Sequence, residues 1–201
     1  MVQDRSKNVT LSETELRTVC HELAERASEF EPDAIVGIAQ GGAYVGAYVR
    51  EHLPGDITYL DIRLSRPATG LKQRLRIEHL LRRLPRPVTD FLRRSEVRMR
   101  EQSPRLKRST ASDSSAGGAP MFPGLAALEN ARRVLIVDDT VDSGKTLLAA
   151  SEAVRRAIGE DVQIRTAVIT STWRNPPVRA DYCLYDRTLV RFPWSFDAVA
   201  E

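Results

Sequence analysis

The chain has 201 residues, of which 42% are hydrophobic and 28% are charged, with a formal net charge of +3. These values are ordinary for a globular protein, and this length is enough for one domain with its own core. No apolar run is long enough to cross a membrane, and no signal-peptide core is present. Cys20 and Cys183 lack the neighbours that a zinc site needs, so we expect a reduced, cytoplasmic protein.

An amphipathic helix is predicted from Ser12 to Phe30. Apolar residues recur there at helical spacing, and Ser12 with Glu15 fits a capping box, in which each residue accepts a hydrogen bond from the other's backbone. Residues 1–10 are polar, and we expect them to be frayed.

A short apolar strand, Ala34–Ala39, then runs into a glycine pair before a predicted helix, Ala43–Leu53. Glycine lets the backbone approach a ligand closely, and a helix N-terminus carries unpaired N–H groups. A glycine pair alone is weak evidence, but this position suggests an anion-binding loop. The loop consists of Gln40, Gly41 and Gly42.

A strongly basic segment follows the next predicted strand, Ile57–Ile62. Residues 63–108 contain 15 Arg and Lys against four Asp and Glu, a net charge of +11. Helical spacing is found at Leu71–Leu84 and Val88–Met99, whereas Ser109–Ala119 is rich in Ser, Ala and Gly and is predicted to be disordered.

Three interpretations of this basic insertion, residues 64–123 approximately, remain open. It is a solvated spacer, a source of cations for a ligand or a neighbouring subunit, or a binder of nucleic acid or another polyanion. Phe91 is the only aromatic residue within 63–108, which argues against stacking on single-stranded bases. The insertion interrupts what we predict to be a single domain, residues 1–201.

The most informative stretch is Val134–Thr146, which reads Val-Leu-Ile-Val-Asp-Asp-Thr-Val-Asp-Ser-Gly-Lys-Thr. Its four leading apolar residues predict a strand buried inside a parallel sheet. Asp138 and Asp139 stand where the strand should end, and a polar turn leads into a predicted helix, Leu147–Ile158. The turn is not a nucleotide triphosphate loop, because such a loop needs a glycine five positions before Gly144.

This order of strand, acidic pair, turn and helix has a chemical logic. Ligands of open parallel sheets bind beyond the carboxyl ends of the strands. A turn at a helix N-terminus directs N–H groups and hydroxyls at one point, which suits a phosphate. The two neighbouring carboxylates suit sugar hydroxyls, a metal ion or a developing positive charge.

Val134–Thr146 resembles the phosphoribosyl pyrophosphate signature of type I phosphoribosyltransferases over all thirteen residues. The resemblance implies that Asp138 and Asp139 hold the ribose hydroxyls of the donor, directly or through Mg²⁺. An acid at Asp142 is similar to the 6-oxopurine branch (hypoxanthine, guanine, xanthine), where it faces the purine and is the candidate general base. The residues implied to surround the 5′-phosphate are Asp142, Ser143, Gly144, Lys145 and Thr146.

The rest of the chain partly follows this family. Residues 35–42 resemble the pyrophosphate loop, although the family usually has Arg or Lys where this chain has Gln40. The ending Phe192-Pro193-Trp194 resembles the C-terminus of bacterial and archaeal 6-oxopurine transferases, and it either packs near the acceptor pocket or seals the sheet edge. Further strands are predicted at Gln163–Thr170 and Tyr182–Tyr185.

Acceptor recognition departs most from the family. Its members carry a Lys after the strand at Gln163–Thr170, and an aromatic residue that stacks on the purine. This chain has no Lys there, and Thr172 to Arg174 are the residues nearest to the position of the family's Lys. Leu189 stands at the position of the family's aromatic residue. The acceptor pocket is accordingly predicted from Trp173, Arg174, Leu189 and Val190.

We therefore expect an α/β fold: an open, mostly parallel sheet with helices on both faces, and a small hood formed by the N-terminal helix and the tail. The resemblance implies a homo-oligomer that uses Mg²⁺ to transfer a phosphoribosyl group to a nitrogen heterocycle, releasing pyrophosphate. A purine-like base is the expected acceptor, and a non-purine heterocycle is an alternative. A second alternative is a phosphoribosyl pyrophosphate-binding regulator with weak or no transferase activity, whose basic insertion binds nucleic acid or a protein.

Overall fold

The computed structural model describes residues 8–63 and 124–195. The predicted basic insertion, with its two helices and its Ser-rich stretch, lies outside these residues. Within them, the helices are α1 (Glu13–Ala27), α2 (Gly41–Glu51) and α3 (Lys145–Ile158), and the strands are β1 (Asn8–Thr10), β2 (Ala34–Ile38), β3 (Thr58–Ile62), β4 (Arg133–Val141), β5 (Gln163–Ser171), β6 (Tyr182–Asp186) and β7 (Leu189–Arg191). None of these helices combines the length and apolarity that crossing a bilayer requires.

Five strands form an open sheet in the order β3-β2-β4-β5-β6, and every neighbouring pair is parallel. The chain moves from β2 outward to β3 and then returns to the other side of β2 to form β4. The direction of winding therefore reverses between β2 and β4, which is where ligands bind in open α/β sheets. The predicted parallel sheet is confirmed.

Alternating residues of β4 build two apolar layers. Leu135 and Val137 pack with residues of α1 and α2, whereas Val134 and Ile136 pack with residues of α3. All four side chains are fully buried, which explains why the strand is an unbroken apolar run in the sequence. Helices on both faces of the sheet are thereby confirmed.

The N-terminal helix belongs to the main core. Leu16 and Leu23 of α1 are fully buried in the layer that also contains α2. The predicted capping box is present, since Glu15 N–H donates to Ser12 Oγ over 3.3 Å and Ser12 N–H donates to Glu15 Oε2 over 2.8 Å. The hood that we expected from this helix and the tail is not confirmed.

Two short strands were not predicted. β1 and β7 form a separate parallel sheet, in which Asn8 lies beside Leu189 and Thr10 beside Arg191. The backbone N–H of Leu11 extends the pairing by donating to the carbonyl of Arg191 over 2.9 Å. Residues 8–10 are thus ordered, and our expectation of fraying is wrong for them. Three residues are too few to show alternation, and the partner strand is distant in sequence.

Strand β4 is longer than its apolar run indicates. It continues to Val141, so that Asp138 and Asp139 lie within the strand and not after it. β4 pairs with β5 as far as Val141 beside Ser171. The two acids therefore project from regular backbone, which fixes their positions better than a loop would.

Candidate active site

The predicted donor residues meet at the carboxyl edge of the sheet. β2 and β4 run side by side, with Gly37 next to Val137, so the chain after β2 reaches α2 beside the two acids of β4. An added Cβ at Gly41 would lie 1.9 Å from Asp139 Oδ2. The glycine is needed because the carboxylate occupies the space of a side chain.

Gly42 makes the same kind of contact with the first acid. An added Cβ there would lie 2.5 Å from the carbonyl oxygen of Val137 and 3.0 Å from Asp138 Oδ1. Both glycines thus allow the first turn of α2 to touch β4. The residues predicted for the pyrophosphate loop and the acids predicted for the ribose therefore lie in contact.

Tyr59 on β3 supports the first turn of α2 from the other side. Its hydroxyl donates to the carbonyl of Ala43 over 2.6 Å, and burial raises the pKa of Tyr59 to about 12. Gly37 makes room for this arrangement, because an added Cβ would lie 2.8 Å from the Tyr59 hydroxyl.

The two helices that start at this edge have no side-chain cap among the described residues, unlike α1 with its full capping box. The residues at their N-cap positions are Gln40 for α2 and Gly144 for α3. The N–H of Ala43 donates to the carbonyl of Gln40 over 3.2 Å, whereas no side chain caps the first turn of either helix, and a helix N-terminus favours an anion. Gln40 is exposed and joined to Ala39 by a cis peptide bond.

The turn before α3 is held by the chain that follows β5. Gly144 has φ +76°, and an added Cβ would lie 2.4 Å from the carbonyl oxygen of Val178. We expected Gly144 to admit an anion; the contacts give it a packing role, since only glycine fits beneath Val178 in this conformation. Ser143, Lys145 and Thr146 are partly exposed around the turn.

Asp139 is bound to the C-terminal tail, a contact that the sequence did not indicate. The indole Nε1–H of Trp194 donates to Asp139 Oδ2 over 3.2 Å. Burial raises the pKa of Asp139, and the hydrogen bond from Trp194 acts in the opposite direction by favouring the ionised form. Asp138 accepts a bond from the Asp139 backbone N–H over 2.9 Å.

Asp142 has a hydrogen-bond partner at the end of β5. The hydroxyl of Thr172 donates to Asp142 Oδ1, and the backbone N–H of Thr172 donates to the carbonyl of Val141 over 3.0 Å. Thr172 is one of the three residues nearest to the sequence position at which the family carries a Lys. A neutral hydroxyl here orients the carboxylate of Asp142 but brings no charge.

The four predicted acceptor residues differ in their surroundings within the described part of the chain. Trp173 is 2% exposed and its Nε1 has no partner there, whereas Arg174 is exposed. Leu189 is half-buried in β7, and Val190 belongs to the main core. A cavity of about 610 Å³ lies beside β6, and its described lining contains none of the four. The acceptor pocket therefore stays a prediction.

Asp138 and Asp139 are the acids predicted to hold a metal ion. Within residues 8–63 and 124–195, no group of three or more His, Cys, Asp and Glu side chains is arranged to hold one. Mg²⁺ is commonly held by one or two carboxylates together with phosphate oxygens and water. Asp138 and Asp139 fit that requirement, because they offer carboxylate oxygens beside the predicted anion-binding loop.

The family comparison gives a match along almost the whole chain. A family model described as "Phosphoribosyl transferase domain" matches residues 10–198. No curated protein matches the sequence significantly.

Solved structures with the same fold include a purine phosphoribosyltransferase from Pyrococcus horikoshii, at 22% identity and a TM-score of 0.59, covering 96% of this chain and 98% of the other. A xanthine-guanine-hypoxanthine phosphoribosyltransferase from Helicobacter pylori shares 16% identity with a TM-score of 0.54, covering 94% and 93%. A hypothetical protein from Neisseria gonorrhoeae with bound ppGpp shares 14% identity with a TM-score of 0.55, covering 96% and 91%.

Proposed function

Because the chain belongs to the phosphoribosyl transferase family and is a phosphoribosyltransferase, we propose a specific reaction for it. The protein transfers the phosphoribosyl group of phosphoribosyl pyrophosphate to a nitrogen of a purine-like base and releases pyrophosphate. One observation carries the proposal. The glycine pair that starts α2 lies against Asp138 and Asp139, so an anion-binding loop and two ribose-binding acids share one site.

The donor's charged groups match the two uncapped helix N-termini. The start of α2, at Gly41 and Gly42, takes the pyrophosphate, and the turn Asp142–Thr146 at the start of α3 takes the 5′-phosphate. Asp138 and Asp139 lie on the strand between these helices and bind the ribose hydroxyls. The donor thus spans the point between β2 and β4 where the winding reverses.

The acids also act on the reaction itself. Breaking the bond to pyrophosphate builds positive charge on the ribose, and the carboxylates of Asp138 and Asp139 stabilise it electrostatically. Asp142, oriented by Thr172, accepts the proton of the acceptor nitrogen, a contribution typically worth about 10² to 10⁴ in rate. Asp138 and Asp139 would hold Mg²⁺, which would supply charge neutralisation for the leaving pyrophosphate.

Two fold neighbours are described as purine phosphoribosyltransferases, which supports a purine-like acceptor together with the acid at Asp142. Thr172 and Leu189 stand where the family's Lys and aromatic residue are expected. Acceptor recognition is therefore altered at these two positions, and Arg174 is a candidate to take over the contact of the family's Lys. We also keep cytoplasmic location and homo-oligomer formation as part of the proposal.

Thermal unfolding with and without phosphoribosyl pyrophosphate and Mg²⁺ tests the donor site. A ligand that binds only the folded state raises Tm by mass action, equivalent to about 2.7 kcal/mol at one hundred times Kd. Asp138→Asn combined with Asp139→Asn should abolish the shift. The matched control, Asp56→Asn with Asp161→Asn, removes two exposed acids and should keep it. A full shift in the site variant would refute the assignment of these acids to the donor.

Pyrophosphate release with a panel of nucleobases tests the acceptor. We expect turnover with at least one 6-oxopurine. If turnover occurs only with a non-purine heterocycle, the proposed phosphoribosyl transfer stands but the proposed purine-like acceptor is wrong.

The exposed, neutral Gln40 favours a second candidate, a regulator that binds the donor or another pyrophosphate-bearing nucleotide with weak or no transfer. The Neisseria gonorrhoeae fold neighbour was solved with ppGpp bound. Donor binding without turnover on any base of the panel would support this candidate. A Gln40→Arg variant that gains turnover would show that the missing loop cation limits transfer.

A further inference from the structure

We propose that Trp194 is a positioning residue for the donor site: its indole N–H holds the Asp139 carboxylate against the first turn of α2. The inference rests on the proposed function, because it assigns a role in donor binding to a residue outside the signature. It makes the C-terminal tail a part of that site.

Asp139 is fixed from two sides. On one side, its Oδ2 atom lies where a side chain of residue 41 would stand, 1.9 Å from an added Cβ at Gly41. On the other side, the same oxygen accepts the indole N–H of Trp194 over 3.2 Å. A carboxylate on a strand can otherwise rotate about its side-chain bonds, and the indole bond selects one orientation.

The indole is itself held in place by aromatic rings. It stacks with Tyr44 in the first turn of α2, with centroids 5.1 Å apart and planes tilted by 18°. It also stacks with Phe192, with centroids 5.0 Å apart and planes tilted by 2°. Phe192 is 3% exposed and anchored in the main core. Trp194 thus connects the core, the start of α2 and the acid.

A tight turn fixes the backbone that carries the indole. Ser195 N–H donates to the carbonyl of Phe192 over 2.8 Å, and Phe192 N–H donates to Ser195 Oγ over 3.0 Å. The other tryptophan provides a contrast, because Trp173 is buried with its Nε1 lacking a partner in the described residues. A purely packing role for tryptophan therefore does not require a bonded indole, whereas Trp194 directs its N–H at a donor-site acid.

Trp194→Phe tests the proposal, because phenylalanine keeps a ring for stacking and removes the N–H. Loss of a hydrogen bond to a charged group predicts about tenfold or greater weakening of donor affinity. We expect kcat/KM for the donor to fall by that factor while KM for the acceptor stays the same. Tyr182→Phe, which removes a polar group from a ring at the amino end of β6, is the matched control and should leave both unchanged.

A second measurement holds even if Trp194→Phe folds poorly. The chain has two tryptophans, so Trp173→Phe leaves Trp194 as the only indole. Donor with Mg²⁺ should then change the intensity or wavelength of its emission, because the donor enters beside the carboxylate that the indole contacts.

The outcomes separate the two proposals. If the unmodified protein shows no donor binding, the proposed function fails and this inference fails with it. If the unmodified protein binds the donor but Trp194→Phe binds it equally well, or Trp194 emission does not respond at saturation, only the inference is overturned. A drop in unliganded Tm without a change in donor kcat/KM also overturns it, since that result describes a structural residue.

Discussion

At the scale of single residues, the candidate site depends on two glycines, which have no side chain to fill the space beside the acids. Gly41 and Gly42 leave room for two carboxylates, so the acids can approach a helix N-terminus that would otherwise be covered. The sequence showed the glycine pair and the acids as separate features. Their contact depends on the alignment of β2 with β4, which no local pattern contains.

Gly41→Ala should weaken donor binding by at least about tenfold. The added methyl group would overlap Asp139 Oδ2 at 1.9 Å, so either the carboxylate or the first turn of α2 must move. Isothermal titration with the donor and Mg²⁺ measures the effect. Gly46→Ala in the same helix is the control, since its Cβ would lie 3.2 Å from a Tyr59 ring carbon, away from the acids. Equal donor affinity in both variants would contradict the prediction.

Asp142→Asn should lower kcat by about 10²-fold or more with little change in donor affinity, because the amide cannot accept the acceptor's proton. Thr172→Val removes the hydroxyl that orients Asp142 and should lower kcat by a smaller factor. Steady-state kinetics for both substrates distinguishes the two effects. Near-normal turnover in Asp142→Asn would leave this acid with a structural role.

At the scale of helices and strands, the described elements were predictable wherever the sequence had a clear period. The helix α1 and the central strands β2, β4 and β5 were expected within a few residues of their observed bounds. β1 and β7 were missed because each has three residues and is formed only by pairing with the other. The contact between Trp194 and Asp139 was missed for the same reason, since it joins residues 55 positions apart.

Asp181, just before β6, binds residues of β5 in addition to the backbone pairing of the two strands, and its contribution to stability should depend on pH. Asp181 accepts from Arg165 Nη1 over 2.8 Å and from the Thr166 backbone N–H over 2.9 Å. Burial alone would raise the pKa of Asp181, but these hydrogen bonds outweigh it and lower the pKa below its ordinary value. The resulting stabilisation is present above the unfolded-state pKa and is lost as pH falls through the folded-state pKa.

Asp181→Asn should therefore destabilise the protein at neutral pH by about 1 kcal/mol, the typical net value of a hydrogen bond. The difference from the unmodified protein should shrink below about pH 4, where model aspartates protonate. Urea unfolding at pH 7 and pH 3 measures it. Asp161→Asn, at an exposed acid, should match the unmodified protein at both pH values. A difference at pH 3 as large as the difference at pH 7 would mean that the ionised carboxylate is not the cause.

At the scale of the whole molecule, the basic insertion begins next to the candidate site. β3 ends at Ile62, whose carbonyl accepts the N–H of Ala39 over 2.8 Å at the end of β2. The chain therefore leaves the described core beside the predicted pyrophosphate loop. The sequence predicts the insertion's charge but not its partner, because a net charge of +11 suits any polyanion.

We predict that the insertion does not bind nucleic acid tightly, because its cations are interspersed with Leu at helical spacing and aromatic residues are scarce. Filter binding with RNA and duplex DNA at about 50 and 200 mM salt tests this. Between these two salt concentrations, a protein that makes six to ten phosphate contacts loses about 10³ to 10⁵ in affinity. Deletion of Leu71–Ser115 is the control. Tight, salt-sensitive binding that the deletion removes would favour the regulator.

The pairing of β1 with β7 has a consequence for chain connectivity. These strands hold residues 8–10 beside residues 189–191, so segments near the two termini are neighbours, an arrangement that tolerates circular permutation. Residues 196–201 joined to residues 1–7 would form a thirteen-residue connection. A permuted chain that starts at Gly118 and ends at Gly117 should fold and bind the donor, measured by its Tm shift. In such a protein the basic insertion would supply both termini, and each half could be shortened independently to find which part serves the site.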